Sequence, residues 1–407
     1  MREKLKLHCD VISGYAFSSS DWKEEGIPVI KIGNISNGSD IDCDELQYVD
    51  EFFWDKLDPK YHISNGDILV SLTGSHINQP NSMVGRSCRS LTEKKYLLNQ
   101  RAGKVIPFDN TDKNYLYYLL STKAIKYDIA NRAYGGANQV NVSPSDIKNI
   151  KWKFPLIEKQ KKISGILLKY DELIQNNNKR IIQLEDIAQE LYREWFVRFR
   201  FPGYENAKFE DGIPEGWKIK RMNEFCYVTD GTHDTPKPVD VGVPFVTGRC
   251  ISSGFVDFDA AYNISEADHE GIKKRSGLKS GDILFSNIGT VGNCCIVDYN
   301  REFSVKNVII FKPETMRDTA YLYYWMTSSI MQEIFSAQTN GASQQFVGLT
   351  FMRRYKLLVP KDDILEAFAD KVLPIVEQKR LLHQKNLNLD AQRDMLLPRL
   401  MSGKLEV

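Results

Sequence analysis

Gly66-Asp67-Ile68-Leu69-Val70-Ser71 returns 215 residues later as Gly281-Asp282-Ile283-Leu284-Phe285-Ser286. Other matches flank it. Gly26-Ile27-Pro28-Val29-Ile30 returns as Gly242-Val243-Pro244-Phe245-Val246, and Tyr115-Leu116-Tyr117-Tyr118 as Tyr321-Leu322-Tyr323-Tyr324. Gly136-Ala137-Asn138-Gln139 returns as Gly341-Ala342-Ser343-Gln344, and each copy then reaches a proline, Pro155 or Pro360. The order is kept, with offsets of 216, 215, 206, 205 and 205. A period of that length is too long for a solenoid unit, so the chain is a duplicated domain. The one large change is an insertion in the first copy: ten residues lie between Gly74 and Gly85, but two between Gly289 and Gly292.

Each copy opens with short apolar strands bounded by Gly, Pro, Asn and Asp, as in Ile27–Ile32 and Asp67–Leu72. A helical stretch follows, over Asn114–Asn131 and Thr319–Ala337, then a last strand, Ile150–Phe154 and Tyr355–Val359. The fold class is mixed α/β, with a long helix after each copy. In the first of these helices the apolar seam runs Leu167, Tyr170, Ile174, Asn177, Ile181, Leu184, Ala188, Leu191, Trp195. Steps of three and four alternate without exception, the coiled-coil pattern. Asn177 is its one polar member, and such a residue typically fixes register or orientation at a cost in stability. Phe201-Pro202-Gly203 should end this helix. The second seam is Phe368, Val372, Ile375, Lys379, Leu382, Asn386, Leu389, Arg393, Leu396 and Leu400, more polar, with Pro374 expected to start a fresh turn. Two such helices bury both seams if they lie antiparallel, which relates the halves by an approximate two-fold axis. Residues 167–195 would span about 43 Å, on the order of one turn of B-DNA plus a few base pairs. A homodimerising coiled coil fits the same periodicity.

With 407 residues, 42% hydrophobic and 26% charged, two or three packed domains are expected and disorder over most of the chain is excluded. The longest apolar runs, such as Asn307–Phe311, are strand-sized, and the charged start Met1–Lys6 lacks the apolar core of a signal peptide. Seven scattered cysteines without a Cys-x-x-Cys pair suit a reducing cytoplasm and argue against a disulfide framework or structural zinc. The net charge of +1 hides a split. Residues 1–58 carry 6 Lys/Arg against 13 Asp/Glu, whereas residues 59–162 carry 17 against 7. A basic face of that size suits a polyanion, although surface lysines also solubilise.

The motifs of catalysis are missing. Six histidines show no metal spacing, and there is no P-loop and no Gly-x-Ser-x-Gly elbow. Asp67 followed by Glu93-Lys94-Lys95 is the best nuclease-like set, but the repeat returns Asp67 as Asp282 without a Glu-x-Lys at a comparable distance. Gly-Asp before an apolar strand is better read as a turn. What remains is polar loops rich in Asn, Gln and Ser beside Arg and Lys, the groups that pair with adenine and guanine edges.

The stretch from Asn176-Asn177-Asn178-Lys179-Arg180-Ile181 through Leu184–Gln189 to Trp195-Phe196-Val197-Arg198-Phe199-Arg200-Phe201-Pro202-Gly203 resembles the central conserved region of type I restriction-modification specificity (S) subunits. The tail Gln392–Leu405 resembles their distal conserved region, and Pro214-Glu215-Gly216-Trp217 the phrase that opens a recognition domain. The resemblance implies target recognition domains at 1–155 and 216–360, conserved coiled-coil helices at 156–200 and 361–407, and a linker at 201–215. It implies that each domain reads one half of a bipartite asymmetric double-stranded DNA site, with the helices as a ruler. The implied partners are two methyltransferase (M) subunits and, for restriction, two ATP-driven restriction (R) subunits. S-adenosylmethionine, ATP and Mg2+ would then belong to those partners. No cofactor and no metal are expected on this chain, and no membrane. No Asn-Pro-Pro-Tyr-type methyltransferase motif occurs.

Three readings follow. The leading one is a non-catalytic specificity subunit. A stand-alone nuclease or methyltransferase with fused specificity domains needs motifs that are not found. A scaffold that never touches DNA leaves the basic segment and amide-rich loops without a purpose. Under the leading reading, residues shared by both copies should hold the fold or grip phosphate, and unshared polar residues should read bases. Gly66-Asp67, Ser71 and Gln139 are shared with Gly281-Asp282, Ser286 and Gln344. The base-reading candidates are Asn78, Gln79, Arg86, Gln100, Arg101 and Asn138 in the first copy, and Arg249, Asn287, Asn307, Ser343 and Gln345 in the second.

Overall fold

The computed structural model describes residues 2–36, 40–43, 45–75, 84–136, 139–252, 254–299, 301–339 and 346–407. It divides into two compact units, Met1–Asn176 with Lys385–Val407, and Asn177–Gln384.

In the first unit, strands β1 (Cys9–Ser13), β2 (Ile68–Ser71), β3 (Ser87–Arg89) and β4 (Ala102–Pro107) form an antiparallel sheet in the order β1-β4-β2-β3. In the second unit, β5 (Tyr227–Asp230), β6 (Ile283–Ser286), β7 (Cys294–Ile296) and β8 (Val308–Lys312) repeat that order as β5-β8-β6-β7. Each unit adds a parallel pair, Ile27–Ile30 beside Tyr96–Leu98 and Val243–Thr247 beside Ser304–Lys306. The shared Gly-Asp is a turn into the sheet. Gly66 and Gly281 sit at φ of 80° and 89°, where glycine carries no Cβ penalty. Asp67 accepts from Ser64 N at 2.9 Å and pairs with Lys104 at 3.3 Å. Asp282 accepts from Lys279 N at 2.9 Å and pairs with Lys312. Both carboxylates are therefore spent on the fold, and Glu93 is bonded elsewhere, to Asn65.

The single helix expected after each sheet is two helices, Lys113–Ser121 with Lys123–Arg132 and Met316–Thr327 with Ser329–Thr339. The break falls at the same place in both copies. Thr122 adopts an extended conformation and its hydroxyl caps Ile125 N at 3.3 Å, while Ser328 does the same for Met331 N at 3.4 Å. A hydroxyl that ends one helix and caps the next turns the chain without losing hydrogen bonds.

The first long helix, α1, spans Ile157–Tyr192 and closes in a wider π turn, Arg193–Val197, short of Pro202. Phe199, at a φ of 56°, ends it. The wide turn buries both Trp195 and Phe196, which a regular turn would point about 100° apart. The second, α2, spans Asp362–Met401 without interruption. Pro374 starts no new helix: it lies on the exposed face, where the carbonyl it leaves unpaired can bond water. All nine seam positions of α1 are buried or half-buried. In the first unit Ile163 and Leu167 share a core with Ile68, Tyr115, Leu400 and Met401, and Asp171 pairs with Arg393 at 2.8 Å. In the second, Ala188 and Trp195 share a core with Tyr321, Phe368 and Val372, and Glu185 pairs with Lys379. In each unit higher numbers on α1 meet lower numbers on α2, so the segments run antiparallel. Two of the three polar members of the second seam are thus explained: Lys379 and Arg393 each meet a carboxylate from α1.

All seven thiols are free; six are buried and Cys43 is exposed. Burial pushes Cys9, Cys88 and Cys226 up to about 12. Among the described residues no helix is long and apolar enough to cross a membrane.

Candidate nucleic-acid interface

One end of the first sheet gathers Arg86, Gln100 and Arg101, the unshared polar candidates of its copy among the described residues. Beyond β2, Leu72 N donates to Arg101 O at 3.0 Å, and Ser71 N to Arg86 O at 2.8 Å. Gln100 N donates to Tyr15 O at 2.9 Å, and Asn99 N to Ile30 O at 3.0 Å. Val140 and Asn141 pair with Gly74 and Thr73, so the chain on either side of 76–83 and of 137–138 meets at this same end. Gln100 and Arg101 are exposed and Arg86 is half-buried. The candidates Asn78, Gln79 and Asn138 lie outside the described residues.

This end is electropositive. Lys31, which follows Ile30, stacks on Trp22 with its ammonium 3.8 Å from the ring centroid. Partial burial, then the charge of Arg101, lowers its pKa from 10.5. Lys126 is lowered in the same way, by burial and then by Arg86. Two lysines whose charged forms are disfavoured by burial first and by a neighbouring cation second are places where an anion would relieve the field.

The second sheet builds the same end with different side chains. Gly231 N donates to Val308 O at 2.9 Å, Thr232 N to Val305 O at 3.0 Å and Asn307 N to Thr232 O at 3.2 Å. Ile288 bridges Phe346, and Thr290 donates to Gly248 O at 3.4 Å, which brings exposed Arg249 alongside. Asn307 is half-buried, with a φ of 50°. Asn287 points inward: it is buried, its Nδ2 donates to Val347 O at 3.2 Å, and its buried Oδ1 has no partner among the described residues. Ser343 and Gln345 lie outside the described residues, as does shared Gln344.

A pair of backbone bridges puts the two ends in register. Tyr15 bridges Asn99 in the first copy as Thr232 bridges Lys306 in the second. A shared glycine makes each bridge possible. A Cβ on Gly14 would lie 2.2 Å from Leu98 O, and one on Gly231 2.3 Å from Val305 O. The residues beside these glycines are unlike, Ser13 and Tyr15 against Asp230 and Thr232. Sequence reasoning missed this position, and with it Lys31, His233 and Arg275. The signal available was a shared glycine between unlike neighbours.

Away from this end, His269, Glu270 and Glu302 bring ligand-type atoms within 4.8 Å of one another. The Lys273 ammonium already sits among them, 2.6 Å from Glu302 and 3.6 Å from Glu270, and His269 bonds Ser304 at 2.9 Å. A cation would have to displace that lysine.

Comparison with known proteins gives one answer. The family described as type I restriction modification DNA specificity domain matches residues 4–186 and again 214–389. The type I restriction enzyme MjaIX specificity subunit of Methanocaldococcus jannaschii is 27% identical over 325 residues, covering 76% of this chain and 73% of that one. The HindI specificity subunit of Haemophilus influenzae is 20% identical over 95% of this chain and all of its own. The crystal structure of a type I restriction-modification S subunit from M. genitalium superposes with a TM-score of 0.54 at 16% identity, over 98% of this chain and 96% of that one. Duplicated sheets of one strand order, long helices after each and two family matches lead to one conclusion: the chain belongs to the type I restriction-modification DNA specificity family.

Proposed function

We propose that this specificity subunit, itself not an enzyme, reads a bipartite asymmetric site in double-stranded DNA, one half with each repeat. The observation that carries this reading is that two sheets of identical strand order present unlike polar residues at the same end. Arg86, Gln100 and Arg101 stand there in one, Arg249 and Asn307 in the other. A common scaffold with divergent edges is what two half-sites of different sequence require. Lys31 and Lys126 supply the phosphate-facing charge in the first repeat. Domain limits of 1–155 and 216–360 fit this division, with α1 and α2 setting the spacer between half-sites and docking two M subunits. R subunits join where restriction follows. S-adenosylmethionine, ATP and Mg2+ act on those partners, and the whole works beside the chromosome in the cytoplasm. Site selection from randomised DNA by the chain assembled with its methyltransferase partner tests the reading. Arg101→Ala should relax one half of the selected site and Arg249→Ala the other. If both relaxed the same half, or neither changed it, the assignment of one half to each repeat would fail.

A further inference from the structure

His233 lies on the exposed loop after β5, and its ring is held between two acceptors. Nε2 is 2.8 Å from Asp230 Oδ2, and Nδ1 is 3.0 Å from Asn307 Oδ1. Asp230 is fixed from behind by Arg275, whose Nη2 is 2.9 Å from Oδ1 and also donates to Gly231 O. Asn307 is fixed as well. Its backbone is left-handed, a conformation few residues but glycine and asparagine adopt, and its N–H is tied to Thr232. Only the far end of its side chain is free to turn.

The chemistry of these contacts is asymmetric. A carboxylate can only accept, so the Nε2 that faces Asp230 carries a proton whether the ring is neutral or charged. Nδ1 alone changes. Protonated, it donates to the carboxamide oxygen of Asn307, which turns the NH2 outward. Neutral, it accepts from the NH2, which turns the oxygen outward. The oxygen and nitrogen of a carboxamide occupy the same space, so the switch costs no repacking. The other charged groups around the ring are Arg275 on the helix Glu266–Ser276, Asp234 on its own loop, and Lys306 beside Asn307, which donates to Thr235.

The geometry points to His233 as a positioning residue that sets whether Asn307 offers a donor or an acceptor to a base edge. This rests on the reading that the sheet end faces DNA bases. A donor suits G and T in the major groove, through O6 or O4; an acceptor suits the amino groups of A and C. The preference at one base pair of the second half-site should therefore follow whether Nδ1 carries its proton, and so depend on pH.

The test is randomised-site selection by the full chain with its methyltransferase partner, at about pH 6 and about pH 8. In the unaltered protein, one position of the second half-site should move from G or T toward A or C as pH rises, by about tenfold in relative selection. The first half-site, selected in the same tube, should not move. His233→Ala should abolish the pH dependence while the rest of the site is kept; the residue is 68% exposed, so folding should tolerate the change. Asn307→Ala should relax that position at both pH values. A pH swing that survives His233→Ala, or no swing in a protein whose site does respond to Asn307→Ala, would overturn the proposal and leave the wider reading standing. A site indifferent to Asn307→Ala would overturn both.

Discussion

Asp171 on α1 accepts a hydrogen bond from Arg393 Nη1 on α2 at 2.8 Å, and its other oxygen takes Tyr118 Oη at 2.5 Å and Arg89 Nη2 at 3.3 Å. One buried carboxylate therefore ties both long helices to the sheet edge at β3 and to the helix Lys113–Ser121. Arg89 completes the set by stacking on Tyr117, 4.7 Å from its centroid, and bonding Asn114 at 2.8 Å. Truncating Asp171 to Ala leaves the buried Arg89 guanidinium without its counter-charge, while Arg393 keeps Asp390 and Asp394. Chemical denaturation should show a loss of about 3–5 kcal/mol. Asp171→Leu with Arg89→Met should recover part of it, since removing both buried charges is cheaper than stranding one.

The pairs Asp171–Arg393 and Glu185–Lys379 follow one register: fourteen residues up α1 correspond to fourteen residues down α2. Seven residues inserted after Asn176 alone would shift one pair out of step and should lower the melting temperature. The same heptad added after both Asn176 and Gln384 keeps both pairs. Under the ruler reading, the selected site should then keep its halves and gain a spacer of about 10 Å, near three base pairs. An unchanged spacer in the doubly lengthened, stably folded protein would show that the helices do not measure it.

Gly231→Ala places a methyl group 2.3 Å from Val305 O, backbone that cannot swing aside. Overpacking of this kind costs about 1–3 kcal/mol. The second half-site should lose its definition in the selection experiment while the first is read normally. Gly14→Ala, 2.2 Å from Leu98 O, should give the mirror result.

Under the proposed reading, in which Lys31 faces a DNA phosphate, DNA affinity should depend on pH with a definite sign. The Lys31 pKa is lowered from 10.5, by burial first and by Arg101 second. A bound phosphate favours the ammonium and raises that value again, so binding takes up a proton. Affinity should fall as pH rises through the lowered value, before an ordinary lysine would titrate. Lys31→Arg should remove this fall, and Lys31→Ala should reduce the slope of log affinity against log salt by about 1. A fall of equal size in Lys31→Arg would assign it to another group.

Much of this architecture is legible in the sequence because it rests on residues that recur. Gly66-Asp67 and Gly281-Asp282 mark the same turn, and the α1 seam is continuous from Leu167 to Trp195. The breaks at Thr122 and Ser328 are not legible, since apolar residues continue on both sides and only a hydroxyl cap distinguishes the position. Lys379 and Arg393 look like faults in a seam until their carboxylates, 194 and 222 residues away, are placed opposite them. At the candidate interface, equivalence is carried by backbone bridges, Tyr15 with Asn99 and Thr232 with Lys306, whose side chains share nothing. Asn287 shows the limit of sorting by difference alone: it is unshared and polar, yet it turns inward to hold Val347.

The distribution of thiols makes the chain its own reporter. Cys43 is exposed, while Cys9 and Cys88 are sealed in the first repeat and Cys226, Cys250, Cys294 and Cys295 in the second. A thiolate, not a thiol, attacks an alkylating reagent, so burial shields each sealed cysteine, and a raised pKa shields Cys9, Cys88, Cys226, Cys294 and Cys295 again. Native protein should take one label, at Cys43. Each sealed thiol should react only as fast as its own repeat opens, so mass spectrometry of pulse-alkylated peptides would time the breathing of each recognition surface, with and without bound DNA, in an unmutated protein.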